Sequence, residues 1–375
     1  MKIIVAPDKF KGSLTSFEAC NAITAGIGQS YSEAKVIGFP MADGGDGFAS
    51  VLKHYTGSSD VVCKTCDPLG RGMEGVYQWN EKEKTAIIEL AVASGLTLLD
   101  RQEQNPLYTS TYGTGLQIKE AVERGAEKIV LGLGGSATND AGMGILEALG
   151  FQFLDAEDQW LGSCGRNLSL VDSIISPEQR PDIKFEIACD VQNVLHGVNG
   201  AAYVYAPQKG ANEEEVKQLD EGLAHFASVI YKQTGKQVSD IPGTGAAGGI
   251  AAGLMGFFEV ELKEGTKMIM EASGIVKELE GTDLLITGEG KIDTQTKNGK
   301  LINEISGLGN KYDIPVIAYC GISDMDKNGS KEIGLEAIFP IADMPSETDY
   351  AMKYAKDLLQ TKVATTLPSI ISGRS

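Results

Sequence analysis

Short apolar runs alternate with helical segments at the start of the chain, and this alternation limits the folds open to it. Residues 2–6 form an apolar run, and Thr15-Ser16-Phe17-Glu18 is a capping box that predicts a helix over residues 16–28. A second run, residues 35–39, precedes apolar residues at helical spacing between 48 and 55. Strands that alternate with helices in this way predict a parallel, doubly wound sheet.

The middle of the chain breaks this alternation. Three strand-like runs, residues 60–67, 73–79 and 85–90, follow one another with short turns and leave no room for crossover helices. They predict an antiparallel meander in a different sheet, since parallel strands need long connections.

The first pattern returns near the C-terminal end, where apolar runs between residues 282 and 339 again alternate with helical stretches. We therefore expect an α/β fold in which a flavodoxin- or Rossmann-like doubly wound parallel-sheet domain is built from residues 1–60 and 281–375. A second, mixed α/β domain, residues 61–280, would be inserted into it. A cleft between the two is the natural place for an active site.

The charge balance excludes several classes of partner. The chain of 375 residues carries 33 Lys and Arg against 51 Asp and Glu, a formal net charge of −18. Nucleic acid and anionic membranes would repel such a chain, so neither is an expected partner. A small anionic substrate remains compatible, provided that a pocket of cations or backbone amides receives it.

Histidine and cysteine usage argues against a zinc or disulfide protein. The three histidines lie far apart, and of the six cysteines only Cys63 and Cys66 form a CxxC pair, in a segment that alternates like a strand. Reduced thiols fit a cytoplasmic location, and neither a signal peptide nor a membrane-spanning segment is predicted. No oligomeric state is predicted.

Glycine is in excess, with 46 residues, and much of it lies in loops between apolar runs. One such loop, Gly132-Leu133-Gly134-Gly135-Ser136-Ala137-Thr138-Asn139-Asp140, follows an apolar run and is expected to open a helix through Leu149. Free amides at such a helix start favour a phosphate. The loop also satisfies GxGxxA, a loose form of the dinucleotide-binding pattern, so a dinucleotide is a second possible ligand. A third interpretation is that these residues only cap the helix and bind nothing.

Three loops carry aspartate at the expected carboxyl ends of strands. The first contains both Asp43 and Asp46, the second contains Asp190, and the third contains Asp293. Carboxylates at these positions can hold Mg²⁺ or accept the proton of an alcohol, and ordinary turn residues are the alternative. The candidates for an anion clamp are the cations in or beside the glycine loops: Lys9, Lys11, Arg71, Lys291 and Lys300.

Six segments together resemble one known family, the bacterial type I glycerate kinases. They occur in the family's order and at suitable spacing from the first strand to about Gly321. The segments are Asp8-Lys9-Phe10-Lys11-Gly12-Ser13-Leu14, Pro40-Met41-Ala42-Asp43-Gly44-Gly45-Asp46-Gly47, Asp67-Pro68-Leu69-Gly70-Arg71, Gly134-Gly135-Ser136-Ala137-Thr138-Asn139-Asp140, Pro207-Gln208-Lys209-Gly210-Ala211 and Thr287-Gly288-Glu289-Gly290-Lys291-Ile292-Asp293.

The resemblance implies ATP-dependent phosphorylation of D-glycerate with Mg²⁺, in a two-domain fold with a central cleft. The 2-phosphate is favoured as the product over the 3-phosphate. Two positions depart from the family's pattern: Lys9 stands where many members have serine, and Val194 where proline is expected. The first would change the charge beside a carboxylate site, and the second would loosen a turn.

Combined with the residue chemistry, the resemblance implies a division of roles. The nucleotide phosphates would be bound by Gly134, Gly135, Ser136, Thr138 and Asn139. The glycerate carboxylate, its hydroxyls or the migrating phosphoryl group would be held by Ser13, Asp43, Asp46, Arg71 and Lys291. Asp190 is the expected base and Lys11 the expected catalytic cation, while Asp46 and Asp293 are the candidates for the metal.

Two other classes of function stay compatible with these residues. An NAD(P)-dependent hydroxy-acid oxidoreductase would account for the glycine loop and for a small anionic substrate. A non-catalytic sugar-acid binding protein would account for a cleft without chemistry.

Overall fold

The computed structural model describes residues 1–293, 300–325, 327–342 and 348–373. The strands are β1 (Lys2–Pro7), β2 (Lys35–Gly38), β3 (Ser59–Cys66), β4 (Gly72–Asn80), β5 (Thr85–Glu89), β6 (Lys128–Gly132), β7 (Gln152–Leu154), β8 (Trp160–Leu161), β9 (Ser173–Ile175), β10 (Lys184–Ala188), β11 (Glu259–Lys263), β12 (Leu284–Ile292), β13 (Val316–Ser323) and β14 (Ala337–Pro340). The helices are α1 (Ser16–Ser30), α2 (Phe48–Thr56), α3 (Ala91–Ser94), α4 (Tyr112–Glu123), α5 (Met143–Ala148), α6 (Ala201–Tyr205), α7 (Glu213–Thr234), α8 (Ile250–Phe257), α9 (Gly265–Ser273), α10 (Lys300–Tyr312), α11 (Lys327–Glu332), α12 (Thr348–Lys353) and α13 (Ala355–Ser372).

The chain divides into two compact units. Residues 1–43 and 266–375 form the first, which we call the terminal unit, and residues 44–265 form the second, which we call the middle unit. The prediction of an α/β fold with parallel sheets is confirmed in both, as the following paragraphs describe. The cleft between two domains stays a prediction.

The sheet of the terminal unit is parallel throughout, with strand order β14-β13-β12-β1-β2. Numbered along the chain within this sheet, the order is 2-1-3-4-5, which is that of flavodoxin-like folds. Ile3 and Val5 on β1 belong to a core with residues of α1 and α13. Ile4 points to the opposite face and is also 0% exposed, so both faces of the sheet are covered.

The capping box at the start of α1 is confirmed. The backbone N–H of Glu18 donates to Oγ1 of Thr15 at 3.2 Å, and the backbone N–H of Thr15 donates to Oε2 of Glu18 at 2.9 Å. These two bonds satisfy amide groups that have no partner within the helix, and they fix its first turn.

The main sheet of the middle unit has strand order β11-β10-β6-β5-β4-β3. The predicted meander is confirmed, because β3, β4 and β5 pair antiparallel in sequence. Strands β5, β6, β10 and β11 are parallel to one another, so their carboxyl ends meet at one edge of this sheet. A small antiparallel sheet of order β8-β7-β9 completes the unit.

The bounds of the two units differ from the predicted 1–60, 61–280 and 281–375 at both boundaries. Residues 266–280 belong to the terminal unit, and residues 44–60 belong to the middle unit because helix α2 packs on its sheet. The backbone N–H of Ala49 donates to the carboxylate of Glu89 at 2.7 Å. The ring of Phe48 lies 3.2 Å from the position that a Cβ on Gly132 would occupy. The helical spacing of these apolar residues indicated a helix correctly, but spacing does not indicate which sheet the helix covers.

The prediction of a helix opening directly after the glycine loop is wrong. Helix α5 begins only at Met143, and residues 137–140 have no regular structure. Ala141 and Gly142 adopt positive φ angles of 51° and 72°, which are incompatible with a right-handed helix. The segment therefore lacks the helix start that the phosphate and dinucleotide patterns require.

All six cysteines are free thiols, as predicted, and Cys63 and Cys66 lie on strand β3. Burial raises the pKa of both thiols, so neither has the acidic character of a redox CxxC motif. Within the described residues, none of the helices combines the length and the apolar character that crossing a bilayer would require.

Candidate functional site

Two glycine loops of the middle unit touch each other through their backbones. A Cβ on Gly134 would lie 2.7 Å from Cα of Gly45, a distance that real Cβ atoms do not reach, so only glycine fits at position 134. Next to this contact, Oδ1 of Asp46 lies 3.3 Å from the Cβ position of Gly135. The structure therefore brings together three of the predicted site residues, Asp46, Gly134 and Gly135.

Asp190 lies at the other end of the same loop contact. It follows β10 by two residues, and its Oδ1 accepts a hydrogen bond from the backbone N–H of Gly265 at 3.2 Å. Its Oδ2 lies 3.2 Å from the Cβ position of Gly44, where φ is +86°. In the loop of residues 44–46, Gly44 therefore lies beside Asp190, while Gly45 and Asp46 lie beside Gly134 and Gly135.

Ser136 is held from inside the unit by a buried lysine. Nζ of Lys209 donates to Oγ of Ser136 at 2.7 Å and to the backbone oxygen of Thr138 at 2.7 Å. Lys209 is 2% exposed, and burial lowers its pKa to about 7, although the negative charge of Asp140 acts in the opposite direction.

Thr138 and Asn139, both predicted to contact the nucleotide, are 0% exposed. Within the described residues, Oγ1 of Thr138 and both polar atoms of the Asn139 amide have no hydrogen-bond partner. Because protein surrounds these side chains, their burial does not support a direct contact with phosphate, and that role stays a prediction.

Asp140 fixes the end of the same loop. Its Oδ2 accepts hydrogen bonds from the backbone N–H and the hydroxyl of Thr111, both at 2.8 Å, and its Oδ1 accepts from the backbone N–H of Gly142 at 3.1 Å. Burial raises the pKa of this carboxyl despite these bonds. The motif contained Asp140, but sequence reasoning gave it no role.

Arg71 has two carboxylate partners in the middle unit. Its Nε pairs with Asp67, and its Nη1 lies 2.7 Å from Oε1 of Glu103. These partners raise the pKa of the guanidinium and neutralise its charge. Arg71 thus takes part in an ion-pair network at the turn between β3 and β4, and its role as a clamp for substrate stays a prediction.

The terminal unit contains a cavity of about 410 Å³ at the carboxyl ends of β1 and β12. Its position is the switch point of the sheet, where doubly wound proteins bind ligands. Predicted site residues among its lining are Lys11, Ser13, Asp43 and Lys291, beside the apolar side chains of Phe10, Ile322, Ile341 and Met352.

A turn after β1 shapes one wall of this cavity. The backbone N–H of Phe10 donates to the backbone oxygen of Leu14 at 2.8 Å, and Oγ of Ser13 donates to the backbone oxygen of Phe10 at 3.0 Å. Gly12 in this turn has φ +79°. The turn leaves the side chain of Lys11 exposed at the cavity.

Charged pairs lie at or beside the same cavity. Nζ of Lys9 lies 3.1 Å from Oδ1 of Asp43, so the residue that departs from the family's pattern does place a cation beside a carboxylate. Nζ of Lys291 lies 2.7 Å from Oδ2 of Asp293, and this contact raises the pKa of Lys291. The side chain of Lys300 lies outside the described residues.

In the part of the chain that the structure describes, no group of three or more His, Cys, Asp or Glu side chains could hold a metal ion. A magnesium ion bound by these described residues would therefore share them with phosphate oxygens or water. Such mixed coordination is usual for Mg²⁺ at nucleotide sites.

Both sheets carry polar, glycine-rich loops at the carboxyl ends of their parallel strands, which defines the chain as an α/β protein of the type that binds ligands at this edge. The model of the "Glycerate kinase family" matches residues 3–370. The chain belongs to the glycerate kinase family.

Individual relatives agree with this assignment. A glycerate kinase from Haemophilus influenzae is 41% identical over 344 residues, which cover 91% of each chain. A glycerate 2-kinase from Escherichia coli is 38% identical over 360 residues, covering 95% of this chain and 94% of the relative. A crystal structure attributed to glycerate kinase 2 from Salmonella typhimurium LT2 superposes with a TM-score of 0.87 at 34% identity, over 100% of this chain and 99% of that one.

The resemblance stated from the six motifs and the prediction of a kinase are thereby confirmed. The oxidoreductase alternative depended on a glycine fingerprint that opens a helix. In the structure the glycine loop does not open a helix, because α5 begins only at Met143, so the loop lacks the geometry of that fingerprint.

Sequence reasoning missed Lys209 and Glu89 as well as Asp140. Lys209 was part of a motif but had no assigned role, and only the fold brings it to Ser136, 73 positions away in sequence. Glu89 is the last residue of β5 and caps helix α2 through the N–H of Ala49. Its place at the end of a strand is the signal that could have identified it.

Proposed function

We propose that the protein transfers the γ-phosphoryl group of ATP to D-glycerate and forms 2-phospho-D-glycerate. The observation that carries this proposal is the arrangement in the middle unit, where one loop contacts the carboxylate of Asp190 and a second glycine loop. Phosphoryl transfer depends mainly on positioning and charge stabilisation, and such an arrangement offers a carboxylate beside backbone amides.

Asp190 is assigned the role of base. A carboxylate that accepts the proton of the substrate hydroxyl must be held in place while one of its oxygens can reach the substrate. The hydrogen bond from Gly265 to Oδ1 holds the side chain of Asp190 in place. Oδ2 of Asp190 is enclosed in the free protein, so this role requires that the carboxylate become accessible to the hydroxyl when the substrates bind.

The backbone amides of Gly134 and Gly135 are assigned to the ATP phosphates. Gly135 is exposed and Gly134 is partly buried, whereas Ser136, Thr138 and Asn139 are enclosed. Glycine at both positions lets a phosphate approach the backbone closely. Ser136 would then support this loop through its contact with Lys209.

Lys11 and Ser13 are assigned to the anionic groups of the substrates. Both line the cavity at the switch point of the terminal unit, with Lys291 and Asp43. Lysine in a partly apolar cavity favours a carboxylate or phosphoryl group because the low polarity strengthens the attraction. The net charge of the chain makes this local positive charge necessary.

The residues fit a requirement for Mg²⁺. Asp46 is exposed and its carboxylate lies beside Gly135, so it would hold the ion at the loop assigned to phosphate, with Asp293 as a second candidate. Asp293 is the weaker fit because Lys291 neutralises its charge. When bound, the ion neutralises negative charge on the transferred phosphoryl group.

The test is a coupled assay with the purified protein, D-glycerate, ATP and Mg²⁺, in which ADP formation is followed. Glycerate-dependent ADP formation is expected, and L-glycerate serves as the control for stereochemistry. Addition of enolase should consume the product directly. A product that enolase consumes only after a phosphoglycerate mutase is added would be the 3-phosphate, and would overturn the proposed position of transfer. ADP formation that does not depend on glycerate would overturn the proposal that glycerate is the substrate.

A further inference from the structure

Lys209 is a buried amine that the proposed chemistry does not use. It ends a short 3-10 turn, Pro207–Lys209, and its backbone N–H donates to the oxygen of Ala206 at 3.0 Å. The next residue, Gly210, has φ +99°, and a Cβ there would lie 1.9 Å from the backbone oxygen of Gln104. The backbone that carries Lys209 is therefore fixed against a neighbouring segment.

The hydrogen bonds of Lys209 suit an uncharged amine. A neutral amine has two N–H groups, and Nζ contacts two acceptors, Oγ of Ser136 and the backbone oxygen of Thr138. A pKa of about 7 allows this form near neutral pH. Asp140 is the ionisable group whose charge acts on Lys209, and it is itself fully buried.

Burial of an amine is unfavourable, and an apolar side chain of similar length would avoid that cost. Both acceptors of Lys209 belong to one segment, which continues from Gly134 and Gly135. Those two glycines contact Gly45 and Asp46 on their other side. Lys209 thus supports, from the interior, the loop whose outer side carries the proposed phosphate contacts.

We propose that Lys209 is a positioning residue that holds the segment of Gly134 to Thr138 in the conformation that receives the nucleotide phosphates, without touching the ligand itself. The kinetic part of this proposal rests on the proposed function. The structural part concerns the free protein and can be tested without a ligand.

The first experiment measures hydrogen–deuterium exchange of the free protein. In Lys209→Met, which keeps the length of the side chain and removes both of its hydrogen bonds, amides of residues 133–139 should exchange at least about tenfold faster, since tenfold is the factor expected for one strong hydrogen bond. Strands β6 and β10 should keep their protection. The control is Lys217→Met, at an exposed position of helix α7 in the same unit. Unchanged exchange over residues 133–139 in Lys209→Met would overturn the proposal.

The second experiment is a double-mutant cycle of Lys209→Met and Ser136→Ala, with ATP and D-glycerate as substrates. Each single variant should raise KM for ATP by about tenfold and change KM for glycerate little. If Lys209 acts through Ser136, the effect of the double variant should be well below the product of the single effects. Fully multiplicative effects, or a KM for ATP that stays at the wild-type value, would overturn the proposal.

If Lys209→Met does not fold, Ser136→Ala alone tests the contact, since it removes one acceptor and leaves the lysine in place. Faster exchange over residues 133–139 would again support the proposal, and wild-type exchange would overturn the part of it that depends on the contact with Ser136. Absence of kinase activity in the wild-type protein would contradict the proposed function, while the exchange result would still decide on Lys209.

Discussion

Asp190 accepts a hydrogen bond through its Oδ1 from the backbone N–H of Gly265, 3.2 Å away. Its Oδ2 lies 3.2 Å from the Cβ position of Gly44. Gly44 and Gly265 are the first and last residues of the middle unit, so this one carboxylate contacts both ends of the segment that forms the unit. The carboxylate of the assigned base is therefore held beside two glycines that are far apart in sequence but belong to the same unit.

Replacement of this carboxylate should strongly reduce kcat without loss of the fold. In Asp190→Asn, the amide oxygen can still accept from Gly265, but the side chain can no longer take a proton. We expect kcat to fall by about 10²- to 10⁴-fold, the usual contribution of a general base, with an unchanged melting temperature. Steady-state kinetics and thermal melting check this result. The matched control is Asp172→Asn, an exposed aspartate of the same unit. Retention of most activity in Asp190→Asn would assign the base to another group.

The contact between the two glycine loops leads to a second prediction. In Gly134→Ala the new Cβ would lie 2.7 Å from Cα of Gly45. Because the neighbouring atom belongs to the backbone, relieving this clash would require the loop itself to shift. We expect a loss of about 1 to 3 kcal/mol in the free energy of unfolding, together with a fall in kcat/KM for ATP. Chemical denaturation and kinetics measure the two effects.

The control for this substitution is Gly72→Ala, because a Cβ at Gly72 would have no atom within 4 Å. Gly72 belongs to the same unit, in strand β4. Equal effects of the two substitutions would show that the approach of the loops is not tight.

Lys11 should matter for activity more than for stability. It is exposed at the cavity of the terminal unit, so Lys11→Ala removes no packing. We expect kcat/KM for glycerate to fall by about 10²-fold or more, while the melting temperature stays unchanged. Lys35→Ala, at an exposed lysine of strand β2 in the same unit, is the control. Normal turnover in Lys11→Ala would remove this residue from the proposed site.

Local chemistry made much of the fold predictable. The capping box of Thr15 and Glu18 acts within four residues, and the meander of β3 to β5 needs only short turns, so both could be predicted from neighbouring residues. The start of helix α5 could not be predicted this way. The loop before it is set by Asp140, which bonds to Thr111, 29 positions away in sequence.

The residues of the candidate site likewise fall into those that local sequence indicates and those that it does not. Glycine and aspartate in loops after strands indicated Asp46, Gly134 and Asp190, because the ends of parallel strands meet at one edge. The roles of Arg71 and Lys209 depend on burial and on partners that come from distant segments. A lysine in a sequence gives no sign of whether it will lie in solvent or in the interior.

Lys209 also predicts a pH dependence of stability. Burial lowers its pKa to about 7 in the folded protein, whereas the pKa of lysine in an unfolded chain is about 10.4. Between these values the unfolded state binds the extra proton, so the free energy of unfolding rises with pH, by up to about 1.4 kcal/mol per pH unit. Lys209→Met removes this contribution, and chemical denaturation from pH 7 to pH 9 should therefore show wild-type stability rising relative to the variant by roughly 2 kcal/mol. A constant difference over that range would show that Lys209 keeps its proton in the folded protein.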